Sequence, residues 1–162
     1  MSLWTKRGAL HGKWRLSARD TAVAVSQENV QIVRDLLSAF DRRDHEWAFN
    51  FYDPDIEWDA SEIADAVPDL AGVYHGHDGV RTYWRRWLSA WSDIRFEVED
   101  VRDAGDEVVA LIVNQRQIGR HSGIETVMPP YALVFTFRDG RIVRWKNYAD
   151  QDSALRAVGL SR

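Results

Sequence analysis

The fold is decided by residues 131–149, which read YALVFTFRDGRIVRWKNYA. At the centre of this stretch, Asp139-Gly140 is the strongest β-hairpin signal in the chain, because Asp and Gly tolerate the backbone angles of a two-residue turn. The turn predicts a strand on each side, from Glu125 to Arg138 and from Arg141 to Ala149. Pro129-Pro130 interrupts the first strand and indicates an edge or a bulge, since proline cannot donate to a strand ladder.

Further strands are predicted upstream of this hairpin. One runs from Phe96 to Ala104, and Gly105-Asp106 forms the turn that follows it. The next runs from Val108 to Ile118, with residues 119–123 as its connection to the hairpin strands. An earlier strand covers residues 56–60, where apolar and acidic residues alternate.

Helices come first in the chain. Ser26 is a predicted N-cap for a helix whose apolar residues recur at helical spacing up to Phe40. A short helix follows over residues 44–52, and a third runs from about Asp78 to Trp91 with an almost wholly aromatic face. A closing helical turn covers residues 152–158. This order predicts an α+β domain, with three helices on a strongly curved antiparallel sheet that encloses a cone-shaped pocket.

Composition excludes several classes of function. A chain of 162 residues with 45% hydrophobic and 28% charged residues is the size and type of one globular domain. A net charge of -4 argues against a nucleic-acid or membrane-surface binder, which needs a basic face. The absence of cysteine excludes disulfides and thiolate chemistry and is compatible with a cytoplasmic location. Eight tryptophans suggest a pocket wall or an interface as well as a core.

Residues 1–25 differ from the rest of the chain. They are basic, and Gly8 and Gly12 interrupt any helix. No continuous apolar stretch follows the basic residues, so a signal peptide is not indicated. We expect a loosely attached N-terminal arm, with residues 26–162 as the folded domain; alternatively, the arm covers a pocket mouth or reaches a partner subunit.

Five short motifs carry a resemblance to a known family. They are Tyr52-x-Pro54-Asp55-Ile56-x-Trp58, Tyr74-x-Gly76-x-x-Gly79-Val80, Gly105-Asp106-x-Val108, Phe135-x-Phe137-x-Asp139-Gly140-x-Ile142-x-Arg144, and Tyr148-x-Asp150 ahead of Ala154-Leu155-x-x-Val158-Gly159-Leu160. Together they resemble the SnoaL-like branch of the nuclear transport factor 2 (NTF2-like) superfamily over about residues 26–160. The resemblance implies a cone, a pocket and commonly a homodimer built through the sheet. Members include ketosteroid isomerases, polyketide cyclases, epoxide hydrolases, dehydratases and proteins without catalysis, so no single reaction is implied.

Asp59 is the first candidate for proton transfer. It stands at the end of the first predicted strand, where ketosteroid isomerases carry a catalytic aspartate, although alignment from Tyr52 misses that position by one residue. Its strand parity is opposite to that of apolar Trp58, so Asp59 is either a pocket carboxylate or a solvated residue. In an aromatic cavity, desolvation would raise its pKa.

His121 is the second candidate for proton transfer. A histidine titrates near pH ~6.5 and can exchange protons under physiological conditions. It lies in residues 119–123, between two long strands, where the mouth of the cone is expected. The alternative is an exposed loop histidine.

Ten further side chains are candidates for holding a ligand, because they are aromatic or can donate hydrogen bonds near the predicted pocket. They are Trp47, Phe51, Tyr83, Trp84, Trp87, Asn114, Arg116, Tyr131, Trp145 and Asn147. Asn114 and Arg116 share the strand parity of Val108, which predicts a pocket floor that turns into a polar rim. Equally, they could mark a strand that leaves the core, and the aromatic residues could be ordinary core.

Two other kinds of site have little support in the sequence. His75 and His77 stand close together, but no third ligand follows at a spacing typical of a metal site. An epoxide hydrolase needs two acids around a water with an arginine between them, and the spacing of Glu97, Glu99 and Arg116 does not recommend that arrangement. We therefore expect neither a metal nor a cofactor.

The sequence thus predicts a pocket for a small apolar or aromatic molecule. The first interpretation is an isomerase, cyclase or dehydratase that acts by acid/base chemistry on a polyketide- or steroid-like skeleton. The alternative is a ligand-binding or dimerisation module without catalysis. A titratable group inside a dry pocket would favour the enzyme, whereas a lining of aromatic and amide side chains would favour the binding module.

Overall fold

The computed structural model describes residues 17–162 and shows three α-helices and seven strands in that range. The helices are α1 (Ala18–Asp41), α2 (Gly76–Ala90) and α3 (Gln151–Ala157). The strands are β1 (Tyr52–Asp59), β2 (Val73–His75), β3 (Trp91–Ala104), β4 (Glu107–Gly119), β5 (Glu125–Met128), β6 (Tyr131–Arg138) and β7 (Arg141–Tyr148). Short 3-10 helices cover Glu46–Asn50, Ser61–Ile63 and Pro68–Leu70.

The strands form one curled sheet in the order β2-β1-β7-β6-β4-β3, and β5 pairs with the end of β4. The predicted α+β arrangement of helices on a curved sheet is confirmed. The sheet is mixed rather than wholly antiparallel, because β1 runs parallel to β7. Hairpin turns impose antiparallel pairing only on strands that are close in sequence, and β1 and β7 stand far apart in the chain.

The central hairpin forms as predicted. Asp139 and Gly140 take positive φ angles of 52° and 74°, as a two-residue hairpin turn requires. The strand predicted over residues 125–138 is divided at Pro129-Pro130 into β5 and β6. β5 pairs with residues 115–118 of β4, and β6 pairs with residues 107–112. The two prolines therefore interrupt the pairing along β4.

Helix α1 begins earlier than the sequence pattern predicted. Ser17, rather than Ser26, is its N-cap: the Ser17 hydroxyl accepts a hydrogen bond from the Asp20 amide over 3.1 Å, and the Asp20 carboxylate accepts one from the Ser17 amide. This capping box stabilises the first turns of α1, which contain no buried side chain, since the buried residues of the helix begin only at Asn29. The predicted boundary after residue 25 therefore falls inside a helix, and residues 1–16 lie outside the described residues.

The sheet carries a hydrophobic core on each face. The larger, inner core joins the sheet to α1 and α2. On the outer face, Ala154 and Leu155 of α3 cover Val109 and Leu111 of β4, together with two residues of β6. The apolar part of the sheet's outer face is thus partly buried by α3.

Within residues 17–162, every helix is too short or too polar to cross a lipid bilayer.

Candidate functional site

A small cavity lies between α2 and the inner face of the sheet. Its volume is about 20 Å³, which is room for roughly one water molecule. Tyr83, Trp84 and Trp87 of α2 form one wall, and Trp58 of β1 and Trp145 of β7 form another. All five side chains are buried, so the cavity is enclosed by large aromatic rings.

Local sequence explains why these rings face inward. Tyr83, Trp84 and Trp87 stand at positions i, i+1 and i+4 of α2, which share one face of a helix, while Arg85 and Arg86 between them are exposed. The sequence predicted that Tyr83, Trp84 and Trp87 lie near a pocket, and the structure places all three in the cavity wall. Their contact with a ligand stays a prediction.

A bulge in β4 exchanges the two faces of that strand. Asn114 pairs with Glu97 across the ladder and also donates a hydrogen bond to its carboxylate. Ile112 pairs with Val98, which leaves Val113 as an extra residue between the two pairs. An extra residue of this kind reverses the alternation of side chains beyond it.

As a result, Gln115 and Gln117 face inward and are only 3% and 4% exposed. Asn114 and Arg116 instead lie outside the cavity, where Arg116 forms an ion pair with Glu125 over 3.1 Å. Of the two alternatives that the sequence left open for Asn114 and Arg116, the inward placement does not hold, because the inward positions lie one residue further along the strand. The inward or outward direction of these side chains was predicted by strict alternation along β4. Such a prediction cannot locate a bulge.

The inward polar side chains are joined by hydrogen bonds. The Tyr131 hydroxyl donates to Gln115 Oε1 over 2.5 Å, and Gln115 Nε2 donates to Gln117 Oε1 over 2.9 Å. Trp145 Nε1 donates to Asn147 Oδ1 over 2.6 Å. These partners satisfy polar groups that would otherwise be costly to bury. They also hold the amides of Gln115 and Asn147 in place against the cavity.

Two indole donors of the cavity wall have no such partner. Trp58 is 0% exposed and Trp87 is 4% exposed. The Nε1–H of Trp87 has no acceptor among residues 17–162, and that of Trp58 has none at full hydrogen-bond geometry, although it lies near enough to the Tyr83 hydroxyl to oppose the rise of the Tyr83 pKa. A buried donor without an acceptor costs about 1–3 kcal/mol, and native structures contain few of them. Such donors in a cavity wall are the features that an acceptor atom of a ligand would satisfy.

The ionisable groups of the lining are two tyrosines. Burial raises the pKa of Tyr83, and the neighbouring Tyr74 adds to this rise. Burial also raises the pKa of Tyr131 well above its usual value, with a further contribution from Tyr83. Both phenols are therefore neutral at physiological pH. Over the described residues, the lining includes no carboxylate, imidazole, ammonium or guanidinium group.

Asp59 lies outside the cavity lining, on the side of β1 that faces Arg144. Ser61 donates to Asp59 Oδ1 from its amide over 3.0 Å and from its hydroxyl over 2.6 Å, and Arg144 Nη2 lies 3.2 Å from Oδ2. Burial opposes ionisation, but the Ser61 hydrogen bonds and the charges of Lys146 and Arg144 outweigh it and lower the pKa of Asp59. The raised pKa that was expected for a cavity carboxylate therefore does not apply to Asp59 in this position. Proton transfer by Asp59 stays a prediction that its surroundings do not favour.

Of the remaining candidates, three lie apart from the cavity lining and three belong to it. His121 is exposed in the turn between β4 and β5, where its neighbour Arg120 donates to the carbonyl oxygens of Leu88 and Trp91. Trp47 and Phe51 pack against each other at the edge of the inner core, with ring centroids 5.0 Å apart. Tyr131, Trp145 and Asn147 do line the cavity.

The prediction missed several lining residues. They are Trp58, Ile63, Phe96, Gln115, Met128 and Leu133. The apolar parity of β1 already pointed Trp58 inward, and it could have been included on that signal. Met128 enters the lining because β5 pairs beside Gln115, a long-range contact that no local pattern indicates.

Helices over the inner face of a curled sheet, with a cavity between the layers, define the NTF2-like class of folds. A protein of that class and unknown function from Burkholderia pseudomallei is 25% identical, with a TM-score of 0.67 over 81% of this chain and 97% of the other. TerC, co-crystallised with polyporic acid, is 21% identical, with a TM-score of 0.65 over 81% and 97%. A candidate polyketide cyclase from Xanthomonas campestris pv. campestris is 20% identical, with a TM-score of 0.61 over 83% and 98%.

The family follows from the sequence itself. The sequence model of the SnoaL-like domain matches residues 33–145, so the chain belongs to the SnoaL-like domain family. This confirms the resemblance on which the fold was predicted. No protein of curated function matches the chain at a significant level.

Proposed function

We propose that this protein binds a small, flat, largely apolar molecule that carries a carbonyl-type hydrogen-bond acceptor. The inner cavity, with a volume of about 20 Å³, must widen to admit the ligand, which then stacks against the indole rings and accepts hydrogen bonds from the walls. The single observation that carries the proposal is that the buried indole donors of Trp58 and Trp87 have no acceptor at full hydrogen-bond geometry among residues 17–162. A ligand oxygen near them would recover the cost of burying these donors.

The lining favours binding over acid/base catalysis. A general acid or base must reach the reacting atom and must titrate near the working pH. The tyrosines of this lining are held neutral by burial, and the other polar lining groups of residues 17–162 are amides and indoles. Aromatic and amide side chains are the composition expected of a binding module.

An isomerase, cyclase or dehydratase is the second candidate function. The observation that favours it is that the side-chain amides of Gln115 and Asn147 line one cavity, since amide donors stabilise a developing oxyanion. The Xanthomonas protein of the same fold is described as a candidate polyketide cyclase. A substrate would then need a base from outside the lining, and Asp59 and His121 are the groups that the sequence offers for that role.

Two compounds of equal shape test the binding proposal. We expect 9,10-anthraquinone to quench tryptophan fluorescence saturably and to bind about 5- to 150-fold more tightly than anthracene, since two hydrogen bonds of about 0.5–1.5 kcal/mol each separate them. Trp87→Phe should remove much of this preference. Trp91→Phe is the matched control, because its Nε1–H is also buried without an acceptor but Trp91 lies outside the lining. Equal affinity of the wild type for both compounds, or no saturable binding, would overturn the proposal.

A further inference from the structure

Two open clefts border the outer wall of the cavity. The first has a volume of about 410 Å³ and lies between the 3-10 helix Glu46–Asn50 and α2. The second has a volume of about 240 Å³ and lies beside the start of β3. Arg43, His45 and Leu88 line both clefts, so the two meet at these residues.

Two aromatic side chains are shared between the clefts and the inner cavity. Trp84 lines both the inner cavity and the first cleft, and Phe96 lines both the inner cavity and the second. Phe40 packs between them, with its ring centroid 5.0 Å from that of Trp84 and 6.3 Å from that of Phe96. A rotation of Trp84 or Phe96 would therefore join the cavity to the surface without breaking the backbone pairing of the sheet.

His45 sits on the outer side of this aromatic wall. Its ring centroid is 4.6 Å from that of Trp84 and 5.3 Å from that of Phe40. Its Nδ1 is buried without a hydrogen-bond partner among residues 17–162. Burial lowers the pKa of His45, although Asp44 and Glu46 oppose this, so the ring is held largely uncharged at neutral pH. The outer wall thus offers a third polar atom that the protein leaves unused.

Arginine surrounds the clefts in a chain whose net charge is -4. Arg43, Arg81, Arg85 and Arg120 line them, against three acidic residues, Asp44, Glu46 and Asp93.

These arginines differ in how their charge is balanced. Arg43 pairs with Asp93 over 2.8 Å, and Arg81 lies 3.6 Å from Glu46. Arg85 and Arg120 have no carboxylate partner within residues 17–162, so their charge is available to an anion. Arg120 also donates to the carbonyl oxygens of Leu88 and Trp91 and is fixed in place by them.

We propose that the cavity and the two clefts are parts of one binding site for an elongated ligand. Its flat apolar body occupies the cavity after Trp84 or Phe96 rotates, and an anionic group, such as a carboxylate, lies between Arg85 and Arg120 at the surface. This inference rests on the proposed function and adds the charge of the ligand and its route of entry. The sizes agree with it: about 20 Å³ inside holds no organic ligand, whereas ligand sites occupy roughly 300–1,000 Å³.

Affinity tests the anionic part of the proposal. We expect anthraquinone-2-carboxylate to bind the wild type about two- to fivefold more tightly than anthraquinone, which is the size of an exposed charge pair. Arg85→Gln should remove that preference and leave the affinity for anthraquinone unchanged. Arg141→Gln, an exposed arginine of the β6–β7 hairpin, is the matched control and should keep the preference.

Association kinetics test the route of entry. Leu88 is 37% exposed at the junction of the clefts, so Leu88→Trp should fold normally and should slow association of anthraquinone in stopped-flow fluorescence by about tenfold or more. Val73→Trp, at a position 47% exposed and away from the clefts, should leave the rate unchanged. Anthraquinone binding with no carboxylate preference and an unchanged rate in Leu88→Trp would overturn this inference but not the proposed function. An absence of anthraquinone binding would overturn the proposed function, and this inference with it.

Discussion

The indole rings of Trp58 and Trp145 are stacked, with centroids 3.9 Å apart and planes inclined by 17°. They come from β1 and β7, whose parallel register sets the two residues opposite each other. Trp145 donates its N–H to Asn147, whereas the N–H of Trp58 has no acceptor at full hydrogen-bond geometry among residues 17–162 and lies near the Tyr83 hydroxyl. Two adjacent indole rings thus differ in whether the N–H group has a hydrogen-bond acceptor. Substitutions of the buried polar side chains around them test these hydrogen bonds directly.

Gln115→Leu should lower the free energy of unfolding by about 1–3 kcal/mol, because the buried Tyr131 hydroxyl loses its acceptor. Tyr131→Phe in the same background should recover part of this loss. Asn114→Leu is the matched control on the outer face and should change stability by no more than about 0.5 kcal/mol. Urea unfolding measures all three. A larger loss for Asn114→Leu than for Gln115→Leu would contradict the bulge in β4.

Asp59→Asn should destabilise the protein at pH 7 by about 1 kcal/mol, because the carboxylate loses its ion pair with Arg144. The folded-state pKa of Asp59 is lowered, so its contribution is present above the unfolded-state value of ~3.9 and is lost as pH falls through the folded-state pKa. Thermal unfolding between pH 7 and pH 3 should therefore show the two proteins converging in acid.

Asp55→Asn is the control for this experiment, since Asp55 is an exposed aspartate of the same strand. A variant Asp59→Asn that is more stable than the wild type at pH 7 would indicate a raised pKa. That result would support the alternative in which the Asp59 carboxylate faces the cavity.

Removal of residues 1–24 should shift the melting temperature by only a few degrees, as expected for a loss below about 1 kcal/mol. The deleted part of α1 contributes no buried side chain. Removal of residues 1–33 should instead lower it sharply, because Asn29, Ile32 and Val33 are buried. Equal and large decreases in melting temperature from both deletions would indicate that the N-terminal arm is part of the core.

A homodimer is predicted from the family resemblance, and sedimentation should give a mass of twice 18.7 kDa at micromolar concentration. Because α3 covers part of the outer apolar face, the interface would need the polar half of that face, where Arg95 and Glu97 are exposed. A mass near 18.7 kDa would contradict the dimer. A dimer that dissociates in high salt would agree with a polar interface.

Local patterns were enough to predict most elements of the fold. Asp139-Gly140 predicted its hairpin because the turn depends on two residues. The aromatic stripe of α2 predicted a wall because helical spacing alone brings Tyr83, Trp84 and Trp87 together. The start of α1 was missed because Ser17 and Ser26 are both good N-caps, and the apolar pattern begins only after the second.

The sequence by itself determined the elements of this protein, the family and the aromatic character of its interior, since each depends on residues a few positions apart. The tertiary structure decided which polar side chains enter that interior. The bulge at Val113 arises from the pairing of β4 with β3 and turns Gln115 inward in place of Asn114. Arg144, 85 residues away, pairs with the Asp59 carboxylate on the side of β1 opposite to Trp58. Both outcomes depend on strand pairing between distant segments, and a one-residue change of register reverses every side chain that follows it.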